Sequence, residues 1–400
     1  MGGLNMNFND IKAKDNTYIA NTYARFDLDI VKGKGAYCES SDGTEYLDFT
    51  SGIGVNSLGF CDRKWCKAVS EQAKTLNHIS NLYYTTPSIQ LAEKLCDITN
   101  CNNVFFANSG AEANECAIKT ARKYSQDKYS IDRYEIITLV NSFHGRTITN
   151  LAATGQDVFH SKFTPLTTGF NYALANNIDD VISKINDKTC AIMIEIVQGE
   201  GGVNSLDKKF LLQLNDLCKS KDLLLIVDEV QTGVGRTGEF LASTHYNIFP
   251  DIVTLAKGLG GGLPIGATLF YEKCKDVLQY SDHGSTFGAN PIACAGANVV
   301  MDRLTNRFLK SVTKKSKYLV KQLKKIDGVK SVSGLGLMIG VEFNDFTAKE
   351  ILMECINQKV LFLTAKDKLR MLPPLIINQK QIDIALLAIE NSIKILKETK

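Results

Sequence analysis

LAKGLGGGLPIG, residues 255–266, places one lysine between an apolar run and a cluster of glycines. Lys257 closes DIVTLA (251–256), which reads as a short buried strand, and the glycines that follow cannot prolong a helix. Two readings meet at this residue. A lysine at a loop entrance is ordinarily solvated. An amine at the carboxyl end of a parallel strand instead sits where open α/β sheets place their ligands. The surrounding chain decides between them.

Residues 104–272 alternate short apolar runs with helical patterns. VFFA (104–107) leads into AEANECAIKTARKY, and EIITLV (135–140), CAIMIEIV (190–197), LLLIV (223–227), DIVTLA and ATLFY (267–271) follow. KKFLLQLNDLCKSK, ahead of LLLIV, carries apolar residues at helical spacing. Continuous apolar strands need cover on both faces, and intervening helices imply right-handed parallel crossovers. The pattern predicts an α/β fold with a large, mostly parallel sheet domain and helices on both faces. Lysine-rich helical stretches at 305–326 and 379–399 flank short strands in GLGLMIGVEF (334–343) and LRML (369–372), which suits a smaller α+β domain. YCESSDGTEYLDF, with Asp42-Gly43 at its turn, reads as a hairpin. The expected division is 1–55, packing with the small domain, 56–300 as the large domain, and 301–400 as the small one.

Composition narrows the function. The 400 residues are 44% hydrophobic and 22% charged, as in a globular chain of more than one core. Lys and Arg number 46 against 43 acids, so the net charge of +3 marks no footprint for nucleic acid or anionic lipid. The eleven cysteines are scattered and form no CxxC, and the five histidines include no HExxH pair, so no metal is expected. MGGLNMNFND lacks the basic and apolar regions of a secretory signal, and no apolar run reaches membrane-spanning length. A cytoplasmic protein acting on small molecules is the expectation.

Three signals carry chemistry. In ANSGAEANE (107–115), Ser109 stands three residues before Glu112, a capping-box spacing directly after a strand. The helix then begins at Gly110 and Ala111, whose amides lack intrahelical partners and attract phosphate. The same residues also suit an ordinary capped helix. LLLIVDEVQTGVGRTG (223–238) contains GVGRTG, a formal GxGxxG, but five residues separate the strand from those glycines and no helix start follows. A dinucleotide site is therefore rejected. Asp228 ends a strand of pure aliphatics, where a carboxylate needs a cationic partner. A lysine, an aspartate and a phosphate-binding helix start at one sheet edge are the three contacts of pyridoxal 5'-phosphate.

Longer motifs follow in order: NSGAEANE, SFHGRT (142–147), VQGEGG (197–202), DEVQTGVGRTG, LAKGLGGGLPIG and STFGANP (285–291). Their sequence resembles the class III pyridoxal-phosphate aminotransferases of fold type I. Within that class, YLDFTSGIGVNSLG (46–59) and SNLYYT (80–85) are most similar to the acetylornithine aminotransferases. The resemblance runs from about residue 18 to the C-terminus and implies the remaining roles. Lys257 would hold the cofactor covalently and shuttle the proton, and Asp228 would pair with the pyridine nitrogen. Val230 would pack under the ring, Phe143 over it, and Gln231 would reach the phenolic oxygen, with Glu229 counted among the cofactor contacts. Ser109, Gly110, Ala111 and Thr286 would hold the phosphate, Thr286 from the neighbouring subunit of a homodimer with shared active sites. Ser285 and Arg146 would contact the amino-acid substrate, and Arg370 the keto acid's α-carboxylate, with Glu200 masking it between half-reactions. The implied reaction transaminates N-acetylornithine with 2-oxoglutarate in arginine biosynthesis; ornithine, 4-aminobutyrate or another ω-amine is the alternative donor. Two departures stand out. Phe60 and Asp62 replace histidines of the usual Gly-His-x-His-Pro pattern, and Ile196 replaces a proline.

Overall fold

The computed structural model describes residues 7–399; the first six residues of the N-terminal stretch read above for a leader lie outside the described residues. Its centre is a seven-stranded sheet of β1 (Asn103–Ala107), β2 (Glu135–Leu139), β3 (Phe170–Ala173), β4 (Thr189–Ile194), β5 (Leu224–Asp228), β6 (Ile252–Leu255) and β7 (Gly266–Phe270). The spatial order is β3-β2-β4-β5-β6-β7-β1. Neighbours from β3 through β6 are parallel, whereas β7 runs antiparallel to both β6 and β1. The reversal has a local cause. β6 and β7 are joined by the glycine-rich stretch 256–265, which contains only the short 3-10 turn Lys257–Leu259 and no crossover helix, so the chain can only fold back. β3 was not expected. Its sequence FNYA lies at the sheet edge, mostly half-buried, and so carries no continuous apolar run.

Strand parity explains the two covering layers. Helix α1 (Gly110–Lys128) packs Cys116, Ala117, Ile118 and Ala121 against Leu224, Ile226 and Ile252 on one face. Helix α2 (Lys208–Lys221) packs Phe210, Leu211 and Leu214 in the core that takes Leu225, Val227, Val253 and Leu255 on the other. Alternate residues of one strand thus face opposite layers, both dry.

A second sheet is formed by Val329–Leu335, Met338–Phe343, Lys368–Met371 and Leu363–Ala365, with Asn306–Leu323, Ala348–Asn357 and Gln379–Thr399 as its helices. The N-terminal strands Lys32–Lys34, Tyr37–Glu39 and Glu45–Asp48 form an antiparallel ribbon. Val360–Leu361 adds to it in parallel, with Leu47 opposite Val360. Asp62 caps helix Arg63–Thr75, accepting from the Lys64 and Trp65 amides at 3.0 and 3.2 Å, and pairs with Arg303. Phe60 packs over Gly33, and Ile196 is fully buried.

Candidate active site

A cavity of about 510 Å³ opens at the carboxyl ends of β5 and β6, lined among others by Ser109, Gly110, Phe143, Arg146, Asp228 and Lys257. Its first wall is the start of α1. Ser109 Oγ accepts from the Glu112 amide at 3.1 Å, while the Glu112 carboxylate returns to the Asn108 amide at 2.5 Å, one residue before the cap. The amides of Gly110 and Ala111 are left at the positive end of a nineteen-residue helix. Glycine is required at 110, because a Cβ there would lie 2.7 Å from Val230 Cγ1.

The floor is Asp228, 4% exposed. Its Oδ2 accepts from Asn114 Nδ2 at 2.8 Å and lies 2.9 Å from His144 Nδ1, and its Oδ1 accepts from the Val230 amide at 3.0 Å. His144 Nε2 is buried and, among the described residues, finds no partner. Buried polar groups normally do.

Lys257 follows β6 with φ +42, a left-handed conformation uncommon for a non-glycine residue and typical of functional positions. The glycines behind it pack tightly: a Cβ on Gly260 would sit 2.0 Å from the Leu263 carbonyl oxygen. Burial pushes the Lys257 ammonium below its ordinary pKa. The carboxylates of Asp228 and Glu200 oppose that shift and Arg370 adds to it. Glu195, also at the cavity, accepts from the Phe143 and Gly199 amides at 2.9 and 3.2 Å. Burial drives its carboxyl up to about 7.

Two arginines flank the cavity differently. Arg146 is exposed and stacks its guanidinium on Phe159 and Phe143, 4.3 and 5.5 Å from the ring centroids. Arg370 is buried on its strand. Its Nη1 donates to Glu200 Oε1 at 2.5 Å and lies 3.5 Å from Gln231 Oε1, and its Nε has no partner among the described residues. A buried guanidinium with a free donor suits an incoming carboxylate.

Three expected site residues lie elsewhere. Glu229 turns away from the cavity and accepts from the Ala242 and Ser243 amides at 2.7 and 2.8 Å and from the Thr232 hydroxyl at 2.9 Å. Adjacent to Asp228, it points to the opposite side, so it is corrected from cofactor contact to an anchor of that loop. Ser285 and Thr286 line a separate cavity of about 970 Å³. Ser285 Oγ accepts at 3.1 Å from Nδ2 of Asn108, which lines the Lys257 cavity, so the two cavities adjoin at that bond. Asn114 and His144 break no apolar pattern in the sequence; sequence reasoning misses Glu195 although it is the one charged residue of CAIMIEIV (190–197), the same signal that marks Asp228. Only parity marks Asn114: residues 224, 226 and 228 share a face, and α1 covers that face. Among the described residues no cluster of three metal-ligating side chains occurs and no helix is long and apolar enough to cross a membrane.

Together these features describe an α/β protein that presents an amine, an acid and the unpaired amides of a helix start to one cavity. The chain belongs to the class III aminotransferases, whose family model, "Aminotransferase class-III", matches residues 18–393. It is similar to the acetylornithine aminotransferase of Haemophilus ducreyi, 55% identical over 380 residues and covering 94% of this chain and 97% of that one. The acetylornithine aminotransferase of Methanocaldococcus jannaschii is 45% identical over 391 residues, with 96% and 97% covered. Two solved structures are also similar. The ornithine aminotransferase of Toxoplasma gondii superposes with TM-score 0.93 at 30% identity, covering 99% of this chain and 97% of that one. The N-acetylornithine aminotransferase of Stenotrophomonas maltophilia gives 0.83 at 33% identity, covering 97% and 100%.

Proposed function

We propose that this chain transfers the side-chain amine of N-acetylornithine to 2-oxoglutarate, giving N-acetylglutamate 5-semialdehyde and glutamate, as a cytoplasmic homodimer of arginine biosynthesis. The domain division 1–55, 56–300 and 301–400 belongs to the same reading. The observation that carries it is the convergence of Lys257, Asp228 and the Ser109–Ala111 helix start on one cavity.

The donor set fits pyridoxal 5'-phosphate: unpartnered amides for the phosphate, a buried carboxylate for a cationic ring nitrogen, and an amine to hold the carbonyl carbon. Ser109, Gly110 and Ala111 would hold the phosphate, completed by Thr286 of a neighbouring subunit. Val230 and Phe143 would enclose the ring, with Gln231 near its hydroxyl. When bound, the cofactor supplies an electrophilic carbonyl and an electron-withdrawing ring. Lys257 contributes an Nζ that burial keeps ready to lose its proton, so it can attack a carbonyl and later take up and return a substrate proton. Asp228, held by Asn114 and His144, presents a fixed negative charge to that ring. Arg146 meets the donor's carboxylate. Arg370 meets that of 2-oxoglutarate once Glu200 gives way, so the two substrates use the cavity in turn.

Support for the donor comes from relatives that carry the acetylornithine name at 45–55% identity, and from charge. Acylation removes the donor's α-ammonium, so no second cation is desolvated beside Arg146. The test compares kcat/KM for N-acetylornithine, ornithine and 4-aminobutyrate with 2-oxoglutarate as acceptor. N-acetylornithine is expected to lead clearly. A lead for free ornithine would overturn the donor assignment and leave the aminotransferase class intact.

A further inference from the structure

The Asn114 side chain is a buried amide, 1% exposed, with every hydrogen-bonding group engaged. Its two Nδ2 protons go to Asp228 Oδ2 at 2.8 Å and to the His144 carbonyl oxygen at 2.7 Å. Its Oδ1 accepts from Thr254 Oγ1 at 2.7 Å. The amide has one admissible orientation. Reversed, it would turn its oxygen toward a carboxylate and a carbonyl, two acceptors with nothing to donate. Topology explains the meeting: Asp228 on β5 and Thr254 on β6 are opposite each other in the parallel register and face α1, where Asn114 stands in the second turn.

We infer that Asn114 is a positioning residue that locks the Asp228 carboxylate to the loop carrying Phe143 and Arg146. The inference rests on the reading of Asp228 as the partner of the cofactor's ring nitrogen. The tie has two consequences. With Asn114, His144 and the Val230 amide on it, the carboxylate cannot rotate, so its charge stays aimed at one point of the cavity. Through the His144 carbonyl, the same amide sets the height of the 142–147 loop, so the stacking ring and the substrate arginine move with the acid. An aspartate at 114 would keep the shape but press a second carboxylate against Asp228. An alanine would remove one of the three ties on the carboxylate, leaving His144 and the Val230 amide, and would leave the His144 carbonyl unpaired.

The test uses the cofactor-loaded full chain, four single variants, Asn114→Ala, Asn114→Asp, Thr254→Val and Asp228→Asn, and the double variant of Asn114→Ala with Thr254→Val. The readouts are the visible absorption band of the bound cofactor with its pH midpoint, the cofactor's dissociation constant, and the kcat and KM of the donor half-reaction. Asn114→Ala and Asn114→Asp are expected to move the band or its midpoint as Asp228→Asn does. They should also weaken cofactor binding at least tenfold and raise the donor KM. Thr254→Val, which removes only the hydroxyl that steadies Oδ1, should move the same quantities less, and the double variant with Asn114→Ala should be no worse than Asn114→Ala alone. If Asp228→Asn moves the band while both Asn114 variants leave it at the wild-type position, the positioning role is overturned and the Asp228 reading survives. If Asp228→Asn itself leaves the band unmoved, both fall. If the Asn114 variants fail to fold, an unmoved band in Thr254→Val overturns the inference.

Discussion

Replacing Glu195 by glutamine should change the slope of stability against pH, and the structure sets both sign and size. Glu195 is 6% exposed, and both carboxylate oxygens accept backbone N–H groups. Burial raises its pKa from 4.5 to about 7; His144 opposes the rise, Asp228 adds to it, and the two amides oppose it. Between those values the folded chain holds a proton that the unfolded chain has released. The contribution is therefore fully present below about pH 4.5 and is lost as pH rises through about 7. At about 1.4 kcal/mol for each pH unit of that gap, the loss comes to about 3 kcal/mol. The substituted amide has a fixed cost of its own, since its NH₂ must face one of the two backbone donors, on the order of 1–3 kcal/mol. That cost does not depend on pH, so the wild-type minus variant difference isolates the titration. The assay is urea unfolding of cofactor-free protein at one chain concentration from about pH 4.5 to about pH 8, because ligand binding and any self-association also shift apparent stability. Wild type should lose about 3 kcal/mol relative to the Glu195→Gln variant across that range, roughly 4 °C in melting midpoint for a chain of this length. Parallel profiles would show that Glu195 ionises normally in the folded chain and that burial does not govern it.

Lys257→Ala should abolish the borohydride-fixed mass of the cofactor on the chain and nearly all turnover; a variant that still gains that mass would refute covalent attachment at Lys257. The two arginines should divide the substrates. Arg146→Lys is expected to slow mainly the donor half-reaction and Arg370→Lys mainly the 2-oxoglutarate half, since an ammonium cannot reproduce a planar bidentate contact. Single-turnover rates of each half-reaction decide this, and equal losses in both halves for both variants would refute the division.

The strands that read most plainly are those buried on both faces, because burial imposes an apolar run whatever lies between. LLLIV and CAIMIEIV announce themselves; FNYA at the edge of the sheet does not, since one neighbour and partial cover leave its residues free to be polar. The site residues divide by the same logic. Asp228 and Lys257 are legible because each breaks an apolar pattern at the end of a strand. Asn114 and His144 break no pattern: one lies inside an otherwise ordinary amphipathic helix, the other in a loop. Their part emerges only when the sheet register brings α1, β5 and β6 together. Glu229 misleads for a related reason. Next to Asp228 in the chain, it occupies the opposite face of an extended backbone, and adjacency in sequence there means separation in space.

Parity thus sorts the DEV segment by itself. Residue 228 continues the face of Leu224 and Ile226 toward α1, so its carboxylate needs partners from that helix and finds Asn114. Residue 229 faces the other way and is satisfied by the Ala242 and Ser243 amides and the Thr232 hydroxyl. Burial pushes the Glu229 carboxyl above its ordinary pKa, and all three of these donors oppose that rise. Two adjacent acids therefore do different work for one geometric reason: the first is held so that one face of its charge meets the cavity, and the second fastens the loop that carries the glycines after it. A substitution at 229 should therefore register in the stability of the 229–243 loop, whereas one at 228 should register in the cofactor's spectrum.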